Sequence, residues 1–259
     1  MTVRAKKSLG QHFLTDEHIA RNIVDSLKVT NLDKVLEIGP GMGVLTKLLL
    51  ERTEYKTSVI EIDRDSVSWL KKHLPRLCDR IIEGDFLRLD LAKAFSHKPF
   101  AVIGNFPYNI SSQIFFKIIE NKDLIPEVVC MLQEEVAQRI CSGPGSKAYG
   151  ILSVFLRAWY HTEYLFGVPP QVFNPPPKVQ SAVIRLTRNE MTELGCNEKL
   201  FRQVVKQAFN QRRKMLRNSL KSFSPRIDEL DADLLTKRPE QLSVSEFVNL
   251  TNNIEKLIV

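Results

Sequence analysis

A glycine-rich turn directly after an apolar segment is the feature that most constrains this 259-residue chain. The segment Lys34–Ile38 has the length and composition of a buried strand, and glycines follow at positions 39, 41 and 43. Residues 44–51 then carry the apolar spacing of a helix. Because glycine adopts backbone conformations that other residues avoid, this stretch permits a tight strand-to-helix turn that approaches a ligand closely. The pattern predicts an α/β fold with a small-molecule site at this turn.

Strand and helix patterns alternate after the glycine-rich turn. Short apolar segments predict further strands at 58–62, 80–83, 100–104 and 127–132, with helical spacing behind most of them. Two more strand patterns, 163–168 and 181–187, flank the proline-rich stretch FNPPPKVQS without a helix between them. Repeated strand–helix units predict a mainly parallel sheet covered by helices, and the last pair predicts an antiparallel edge. We therefore expect a seven-stranded, mainly parallel α/β sheet.

The composition changes near residue 190, where we place a domain boundary. Residues 1–190 contain the predicted sheet and begin with a basic, glycine-containing arm over residues 1–14. Residues 191–259 carry several helical patterns and no strand pattern. We expect the second part to form a small all-helical C-terminal domain.

The spacing of the glycines separates two kinds of nucleotide site. The dinucleotide fingerprint is GxGxxG, but Val44 occupies the place of its third glycine. The GxGxG form preceded by an acidic residue, here Glu37, is typical of enzymes that bind S-adenosylmethionine. Gly39 and Gly41 are therefore candidate cofactor contacts. On this motif alone, a glycine-rich turn that binds no ligand is the alternative interpretation.

Acidic residues follow the next two predicted strands. Glu61 ends the second strand, where a carboxylate can accept both ribose hydroxyls of a nucleoside, and Asp85 ends the third, where it can accept from an adenine amine. Ligands of open α/β sheets bind outside the carboxyl ends of the strands, so these features describe one crevice. Each acid could instead be a solvated loop residue or a helix cap, and we expect Asp63 and Asp65 to be caps.

The fourth strand ends in the sequence of a candidate catalytic loop. Asn105, Phe106, Pro107 and Tyr108 match the [DNS]-[PIFL]-P-[PYFW] signature of amino-methyltransferases. The lone pair of an adenine amine is delocalised, and hydrogen-bond acceptors on its two N–H groups localise it. The side-chain oxygen of Asn105 and the carbonyl of Phe106 suit that role, Pro107 stiffens the loop, and Tyr108 offers a face for stacking the extruded base. An ordinary turn is the alternative.

Further motifs extend over nearly the whole chain. They are KSLGQHFL, EIGPGMGVLT, VIEIDRD, EGDFL, GNFPYNISS, MLQEEVAQRI, SKAYGILSV, FNPPPKVQSAV and AFNQRRKMLRNSL. On these motifs the chain resembles the ribosomal small-subunit adenine dimethyltransferase family, a relative of the Erm resistance methylases and the eukaryotic Dim-type enzymes. The resemblance implies a Rossmann-like class I methyltransferase fold. It also implies that two methyls are added to each of two adjacent adenosines in the 3′-terminal hairpin loop of small-subunit (16S) rRNA during ribosome biogenesis.

The same resemblance implies a set of contacts with S-adenosylmethionine. These contacts fall on His12, Leu14, Gly39, Glu61, Asp85 and Asn105. The chain departs from the family at two of the matched positions. Asn is usual where this chain has His12, and Leu is usual where it has Phe106.

The net charge of +7 is concentrated in one short stretch. Nine of the 37 Lys and Arg residues lie within residues 199–226, which contain no Asp or Glu. The rest of the chain has 28 basic and 30 acidic residues and is therefore nearly neutral. Such localisation indicates a polyanionic partner, for which RNA, DNA and an anionic membrane are the candidates. We predict a helix over residues 207–221 with Ala208, Met215, Leu216 and Leu220 on its buried side. The expected phosphate contacts are Arg212, Arg213, Lys214, Arg217 and Lys221; a merely solvated helix face is the alternative.

The sequence also allows some alternative functions and disfavours others. Within the same chemistry, an Erm-like large-subunit rRNA methylase or a DNA adenine methylase stays possible, and a ribosome-assembly or nucleic-acid-binding factor on this scaffold is the alternative from another class. The glycine spacing disfavours a nicotinamide-dependent oxidoreductase. The four cysteines and five histidines lack metal-ligand spacing, and no apolar run is long enough to span a membrane. We expect a cytoplasmic, monomeric enzyme without a metal, whose partner is small-subunit rRNA in the 30S precursor.

Overall fold

The computed structural model describes residues 3–224 and 226–258, apart from the side chain of Cys78. Its strands are β1 Phe13–Leu14, β2 Lys34–Ile38, β3 Lys56–Glu61, β4 Ile81–Glu83, β5 Ala101–Asn105, β6 Glu127–Gln133, β7 Tyr160–Val168, β8 Phe173–Asn174 and β9 Ser181–Arg188. Its α-helices are α1 Glu17–Asp25, α2 Val44–Leu49, α3 Arg64–His73, α4 Leu91–Ala94, α5 Ser111–Glu120, α6 Glu134–Cys141, α7 Ile151–Trp159, α8 Glu198–Asn210, α9 Leu216–Ser219, α10 Ala232–Thr236 and α11 Val244–Ile258. Short 3₁₀ turns lie at Lys7–Leu9, Pro75–Arg80, Phe86–Arg88, Pro170–Val172, Ile227–Glu229 and Pro239–Gln241.

Seven strands form one mixed sheet in the order β4-β3-β2-β5-β6-β9-β7. The pairs from β4 through to β6 are parallel, and β9 runs antiparallel to β6. The chain reverses its direction of progress across the sheet between β2 and β5, which is where ligands of such folds bind. The predicted seven-stranded, Rossmann-like α/β fold is confirmed.

The central strands are buried on both faces because both are covered by helices. Val35, Leu36 and Ile38 of β2 are each at most 4% exposed, as are Val102 and Ile103 of β5. This explains why the strands have continuous apolar sequences and no alternation of apolar and polar residues. Because β4, β3, β2, β5 and β6 run parallel, the residues that end them lie at one edge of the sheet.

The N-terminal arm is tied to the sheet domain at its end. After the 3₁₀ turn at Lys7–Leu9, the two-residue strand β1 pairs antiparallel with β8, with Phe13 opposite Asn174 and Leu14 opposite Phe173. Asp16 then caps α1 by accepting from the backbone N–H of Ile19 at 2.9 Å. The short strand pair brings the arm to the carboxyl ends of the strands.

Two compact units divide the chain by their internal contacts. The first comprises residues 1–137 and 162–188, and the second comprises residues 138–161 and 189–259. The predicted division near residue 190 assigns residues 138–161 to the first domain, whereas in the structure this segment, which includes α7, packs with the helices of the second unit.

The predicted helix over residues 207–221 is wrong. Helix α8 ends at Asn210, and α9 begins only at Leu216. The helical hydrogen-bond pattern is interrupted between them, and the N–H of Leu216, at the start of α9, donates to the carbonyl of Lys237 at 2.9 Å. Ala208, Leu216 and Leu220 are buried as expected, but Met215 is 48% exposed.

Candidate active site

A cavity of about 260 Å³ lies at the carboxyl ends of β2, β3, β4 and β5. The arm contributes residues 8–14 to its wall, and the rest of the lining comes from the four strand ends and the loops that follow them. All of these residues belong to the first unit. The cavity contains every predicted cofactor and catalytic residue: His12, Leu14, Gly39, Gly41, Glu61, Asp85, Asn105, Phe106, Pro107 and Tyr108. The structure therefore brings these predicted residues together around one cavity.

The glycine-rich turn leaves its backbone open toward the cavity. Gly39, Gly41 and Gly43 all have positive φ, which a residue with a side chain rarely adopts. A Cβ built on Gly39 meets no atom within 4 Å, whereas one on Gly41 would lie 2.7 Å from the Phe13 ring. Space is thus kept beside Gly39 for a ligand, and Gly41 allows the arm to pack against the turn.

Glu61 is a buried carboxylate held by backbone donors. Its Oε2 accepts from the N–H of Gly41 at 3.1 Å and its Oε1 accepts from the N–H of Asp63 at 2.9 Å, while the residue is only 5% exposed. Burial raises its pKa, and the two N–H donors oppose that shift. Each carboxylate oxygen has a second lone pair, so ribose hydroxyls can still be accepted.

Asp85 serves as a cap and also lines the cavity. Its Oδ1 accepts from the N–H of Leu87 at 2.9 Å, and its Oδ2 lies 3.7 Å from Nε of Arg88. The cap, which the sequence offered as the alternative, is therefore present, and acceptance from a nucleoside stays a prediction. The second oxygen can accept from an adenine amine, because its contact with Arg88 is long.

Asn105 is oriented by the N-terminal arm. Its Nδ2 donates to the backbone carbonyl of His12 at 2.9 Å. A carbonyl oxygen only accepts, so the nitrogen must face His12 and the side-chain oxygen must face the other way. This contact leaves Oδ1 of Asn105 as the acceptor that can grip an amine.

The remaining residues of the NFPY loop are held by the sheet. The N–H of Phe106 donates to the carbonyl of Met131 at 2.9 Å, and the Phe106 side chain is fully buried with its ring on the edge of Phe115. The departure from Leu at this position is therefore absorbed by the core. Tyr108 is half-buried, and burial raises the pKa of its phenol.

His12 lies beside the catalytic loop. Its ring stacks on Tyr108 with centroids 5.5 Å apart, and Nδ1 lies 2.8 Å from the carbonyl of Pro175. Leu14 is buried, lines the cavity and lies opposite Phe173 in the pair of β1 and β8. The backbone of His12 and its ring thus have separate tasks: the carbonyl orients Asn105, and the ring packs on Tyr108.

The sequence patterns did not indicate Ile62 as a cavity residue, nor the long-range contacts of Asp63. Ile62 follows Glu61, lines the cavity and is 54% exposed, so it offers an apolar face to a bound nucleoside. Asp63 caps α3 as expected, but it also accepts from Lys6 and from Gln11. An apolar residue next to the ribose-type acid was a usable signal for Ile62; the Asp63 contacts join residues more than 50 positions apart and had no local signal.

The predicted phosphate contacts differ in what surrounds them. Arg212 donates to the carbonyl of Lys147 and lies 4.0 Å from Glu240, and Arg217 pairs with Asp228 at 3.1 Å. Other basic residues predicted here, Arg213, Lys214 and Lys221, are exposed, and no ion pair joins them to another residue in the described part of the chain. Arg213 and Lys214 lie in the turn after α8 and not on a helix.

The described residues contain no group of three or more His, Cys, Asp or Glu side chains placed to hold a metal ion. Within residues 3–224 and 226–258, no helix has both the length and the apolar composition that crossing a bilayer requires.

The fold and the cavity together define a Rossmann-like methyltransferase that uses S-adenosylmethionine. Residues 2–256 match the profile of the family described as Ribosomal RNA adenine dimethylase. The chain is 58% identical over 254 residues to the Ribosomal RNA small subunit methyltransferase A of Phocaeicola vulgatus, covering 98% of this chain and 90% of that one. It is also 58% identical over 254 residues to the protein of the same name from Flavobacterium johnsoniae, covering 98% and 97%. The chain belongs to the ribosomal RNA adenine dimethylase family.

Solved structures agree with this family and fold. A dimethyladenosine transferase from Plasmodium falciparum superimposes with a TM-score of 0.78 at 26% identity, covering 95% of this chain and 98% of that one. The 23S rRNA methyltransferase ErmE superimposes with a TM-score of 0.67 at 24% identity, covering 92% and 99%. The second likeness shows the shared fold alone.

Proposed function

We propose that this chain dimethylates the N6 amines of two adjacent adenosines in the 3′-terminal hairpin loop of small-subunit rRNA. The relatives that cover nearly all of its length carry the name of a small-subunit methyltransferase. S-adenosylmethionine supplies the methyl group, carried on a sulfonium, when it is bound. The cavity residues suit this cofactor: Gly39 leaves space for it, Glu61 can accept from its ribose, and Ile62 offers an apolar face.

The orientation of the Asn105 amide is the observation that carries the proposal. Its nitrogen is engaged by the His12 carbonyl, so its oxygen is presented as an acceptor at the end of β5. The backbone of Phe106 is fixed by its N–H bond to Met131, which holds the adjacent carbonyl in the same loop. Two acceptors on one amine draw its hydrogens toward them and localise the nitrogen lone pair toward the methyl donor. A strong general base is not required for this step.

Positioning supplies most of the rate in such a transfer. The amine gains positive charge as the methyl–sulfur bond breaks and the methyl–nitrogen bond forms, and the oxygens of Asn105 and Phe106 stabilise that charge from fixed positions in the cavity. The surplus N6 proton then passes to water. Pro107 stiffens the loop between them, and Tyr108 stacks on the extruded base. A hairpin loop lowers the cost of extrusion because its bases are already partly unpaired.

The exposed basic residues of the second unit would bind the rRNA backbone. Arg213, Lys214 and Lys221 have exposed side chains, and phosphate contacts give affinity with little sequence information. Arg212 and Arg217 have partners within the protein, so their share in RNA binding is smaller in this proposal.

We further propose that the chain acts as a monomer on 30S precursors in the cytoplasm, where ribosomes are assembled. One chain supplies every residue of the cavity, which supports activity without a second copy. Sedimentation of the active protein measures its mass directly, and a dimer mass under assay conditions would contradict this part.

Labelled methyl transfer to ribosomal subunits tests the proposed activity. We expect label to enter unmethylated small subunits, and mass spectrometry of the digested rRNA to yield N6,N6-dimethyladenosine at two neighbouring positions. Fully methylated small subunits are the control and should accept no label. Transfer only to large subunits or to DNA would show that the proposed substrate is wrong. Binding of small subunits without any transfer would indicate an assembly factor.

A further inference from the structure

A hydrogen bond joins the start of β9 to the NFPY loop. Oγ of Ser181 lies 2.5 Å from the phenol oxygen of Tyr108, although 73 positions separate the two residues. Ser181 has no exposed surface, and it pairs in register with Gln133 at the end of β6. The serine closes the stretch FNPPPKVQS, whose function the chemistry above leaves unexplained.

The same stretch makes a second contact with the site. The carbonyl of Pro175 lies 2.8 Å from Nδ1 of His12, and because a carbonyl can only accept, Nδ1 carries the proton and donates it. The His12 ring lies against Tyr108 at an interplanar angle of 24°. One end of the stretch therefore holds the stacked histidine, and the other end holds the phenol oxygen.

We propose that Ser181 is a positioning residue for the target base. It acts through Tyr108, whose ring it holds by the hydroxyl at the far end while His12 packs against the face. The proposal rests on the proposed function, in which Tyr108 stacks on the extruded adenine. The proline-rich stretch would thereby fix the plane of the Tyr108 ring on which that base stacks.

The physical basis is the freedom of a tyrosine ring on a loop. Tyr108 rotates about two side-chain bonds, and a stacked purine follows any tilt of the ring. The hydrogen bond to a buried serine on the sheet restricts that tilt, because β9 is held by its whole length against β6. A net hydrogen bond changes an equilibrium by a factor of about 2 to 13, and small misplacements of reacting atoms slow a reaction strongly.

A double-mutant cycle isolates this hydrogen bond. Ser181→Ala and Tyr108→Phe each remove one hydroxyl and keep the remaining side chain. We expect each to lower the single-turnover rate of methyl transfer by about 3- to 10-fold, and the double variant to be no slower than the slower single variant. The dissociation constants for S-adenosylmethionine and for small subunits should stay within about twofold of those of the wild type.

A matched control separates positioning from general stability. Thr57 is a buried hydroxyl residue of the same sheet that donates to the carbonyl of Leu49 at 3.3 Å, at the end of β3 remote from the cavity. Thr57→Val should lower the unfolding midpoint without changing the transfer rate. Rates of all variants are measured well below their unfolding midpoints.

A second readout does not depend on catalysis. An rRNA fragment with 2-aminopurine at the target position lacks the reacting amine, and its emission is quenched by stacking. Ser181→Ala and Tyr108→Phe should raise the emission of the complex to the same extent, and Thr57→Val should leave it unchanged.

The outcomes distinguish the inference from the function on which it rests. Absence of transfer by the wild-type chain would overturn the proposed function. Normal wild-type transfer, with an unchanged rate in Ser181→Ala or with additive losses in the double variant, would overturn the positioning role alone.

Discussion

The ammonium of Lys6 lies 2.5 Å from Oδ1 of Asp63, and this pair attaches the N-terminal arm to the start of α3. Gln11 reinforces the attachment by donating to the other oxygen of Asp63 at 3.1 Å. Between these two anchors, residues 8–11 form part of the cavity wall. The attachment site is two residues from Glu61, so the arm and the ribose-type acid are held by the same strand end.

We expect Lys6→Ala to raise the dissociation constant for S-adenosylmethionine by no more than about 5-fold, since solvent screens an exposed ion pair and keeps its contribution small. Removing the cation leaves Asp63 with fewer donors and loosens the arm over the cavity. Isothermal titration at low and high salt measures the change, which should shrink as salt rises. Lys7→Ala removes a charge from the same arm and is the control. Equal effects of the two variants would indicate a general charge effect.

Asp63 also predicts how this attachment depends on pH. Burial raises the pKa of the carboxyl, but hydrogen bonds from Lys6, Gln11 and the Asp65 N–H outweigh burial and hold the pKa below its ordinary value of 3.8. The stabilisation from this depressed pKa is present above the ordinary value and is lost as the pH falls through the lowered one. Cofactor affinity should therefore show no step from Asp63 between about pH 6 and 8. Asp63→Asn should weaken cofactor binding throughout that range; a wild-type step that disappears in this variant would contradict the assignment.

We expect Asn105→Ala to lower the rate of methyl transfer by at least about 100-fold, the effect seen when one preorganised polar group is removed from an active site. The variant has no side-chain acceptor for the amine, while the exposed basic residues of the second unit are untouched. Single-turnover rates and binding of small subunits should be measured together. Loss of RNA binding comparable to the loss of rate would show that Asn105 is not chiefly catalytic.

The parts of this fold that depend on local pattern could be predicted from the sequence. Strand β2, the glycine turn and the acid at Glu61 follow from neighbouring residues, because apolar runs and glycine positions determine local backbone structure. The hydrogen bond between Ser181 and Tyr108 could not be predicted from the sequence, because it depends on the pairing of β9 with β6.

The end of α8 also depends on a long-range contact that the local sequence does not indicate. Residues 211–217 are good helix formers, so their intrinsic preference favours continuing the helix. In the structure, the N–H of Leu216 bonds to Lys237, more than 20 positions away, and this tertiary interaction overrides local preference. The break changes the interpretation of the basic residues, because Arg213 and Lys214 are presented from a turn.

The difference between Arg212 and its neighbours leads to a prediction about salt dependence. Replacing both Arg213 and Lys214 with Ala should weaken binding to an rRNA hairpin and reduce the slope of log K against log salt by about 2, because each side chain neutralises one phosphate. Fluorescence anisotropy between 50 and 200 mM salt (about the range in which such charges matter) measures the slope. Lys93→Ala with Lys98→Ala removes the same charge from exposed positions of the first unit and serves as control.

Arg212 should behave differently from this pair. Arg212→Ala removes the interactions with the carbonyl of Lys147 and with Glu240, so we expect a lower unfolding midpoint and a smaller change in salt slope. If Arg212→Ala reduced the slope of log K against log salt by a full unit at unchanged stability, Arg212 would be a phosphate contact.

Glu37, immediately before the glycine turn, predicts a pH-dependent stability. The residue is 1% exposed, and burial raises the pKa of its carboxyl from 4.5 to about 8, although the hydroxyl of Thr46 donates to it at 2.6 Å. A folded-state pKa above the unfolded value means that the stability is fully present below pH 4.5 and falls as the pH rises toward 8. We therefore expect the carboxyl to be mostly protonated in the folded chain at neutral pH.

Glu37→Gln removes the ionisation and keeps a group of the same shape that can bond to Thr46. Its unfolding midpoint should be close to that of the wild type at pH 4.5 and higher by several degrees at pH 8, because a shift of this size corresponds to a few kcal/mol. Thermal unfolding of both proteins across this range measures the difference, which should grow with pH and then level off. A constant difference at every pH would mean that Glu37 is not neutral in the folded state, and that the buried site beside the glycine turn accommodates a charge.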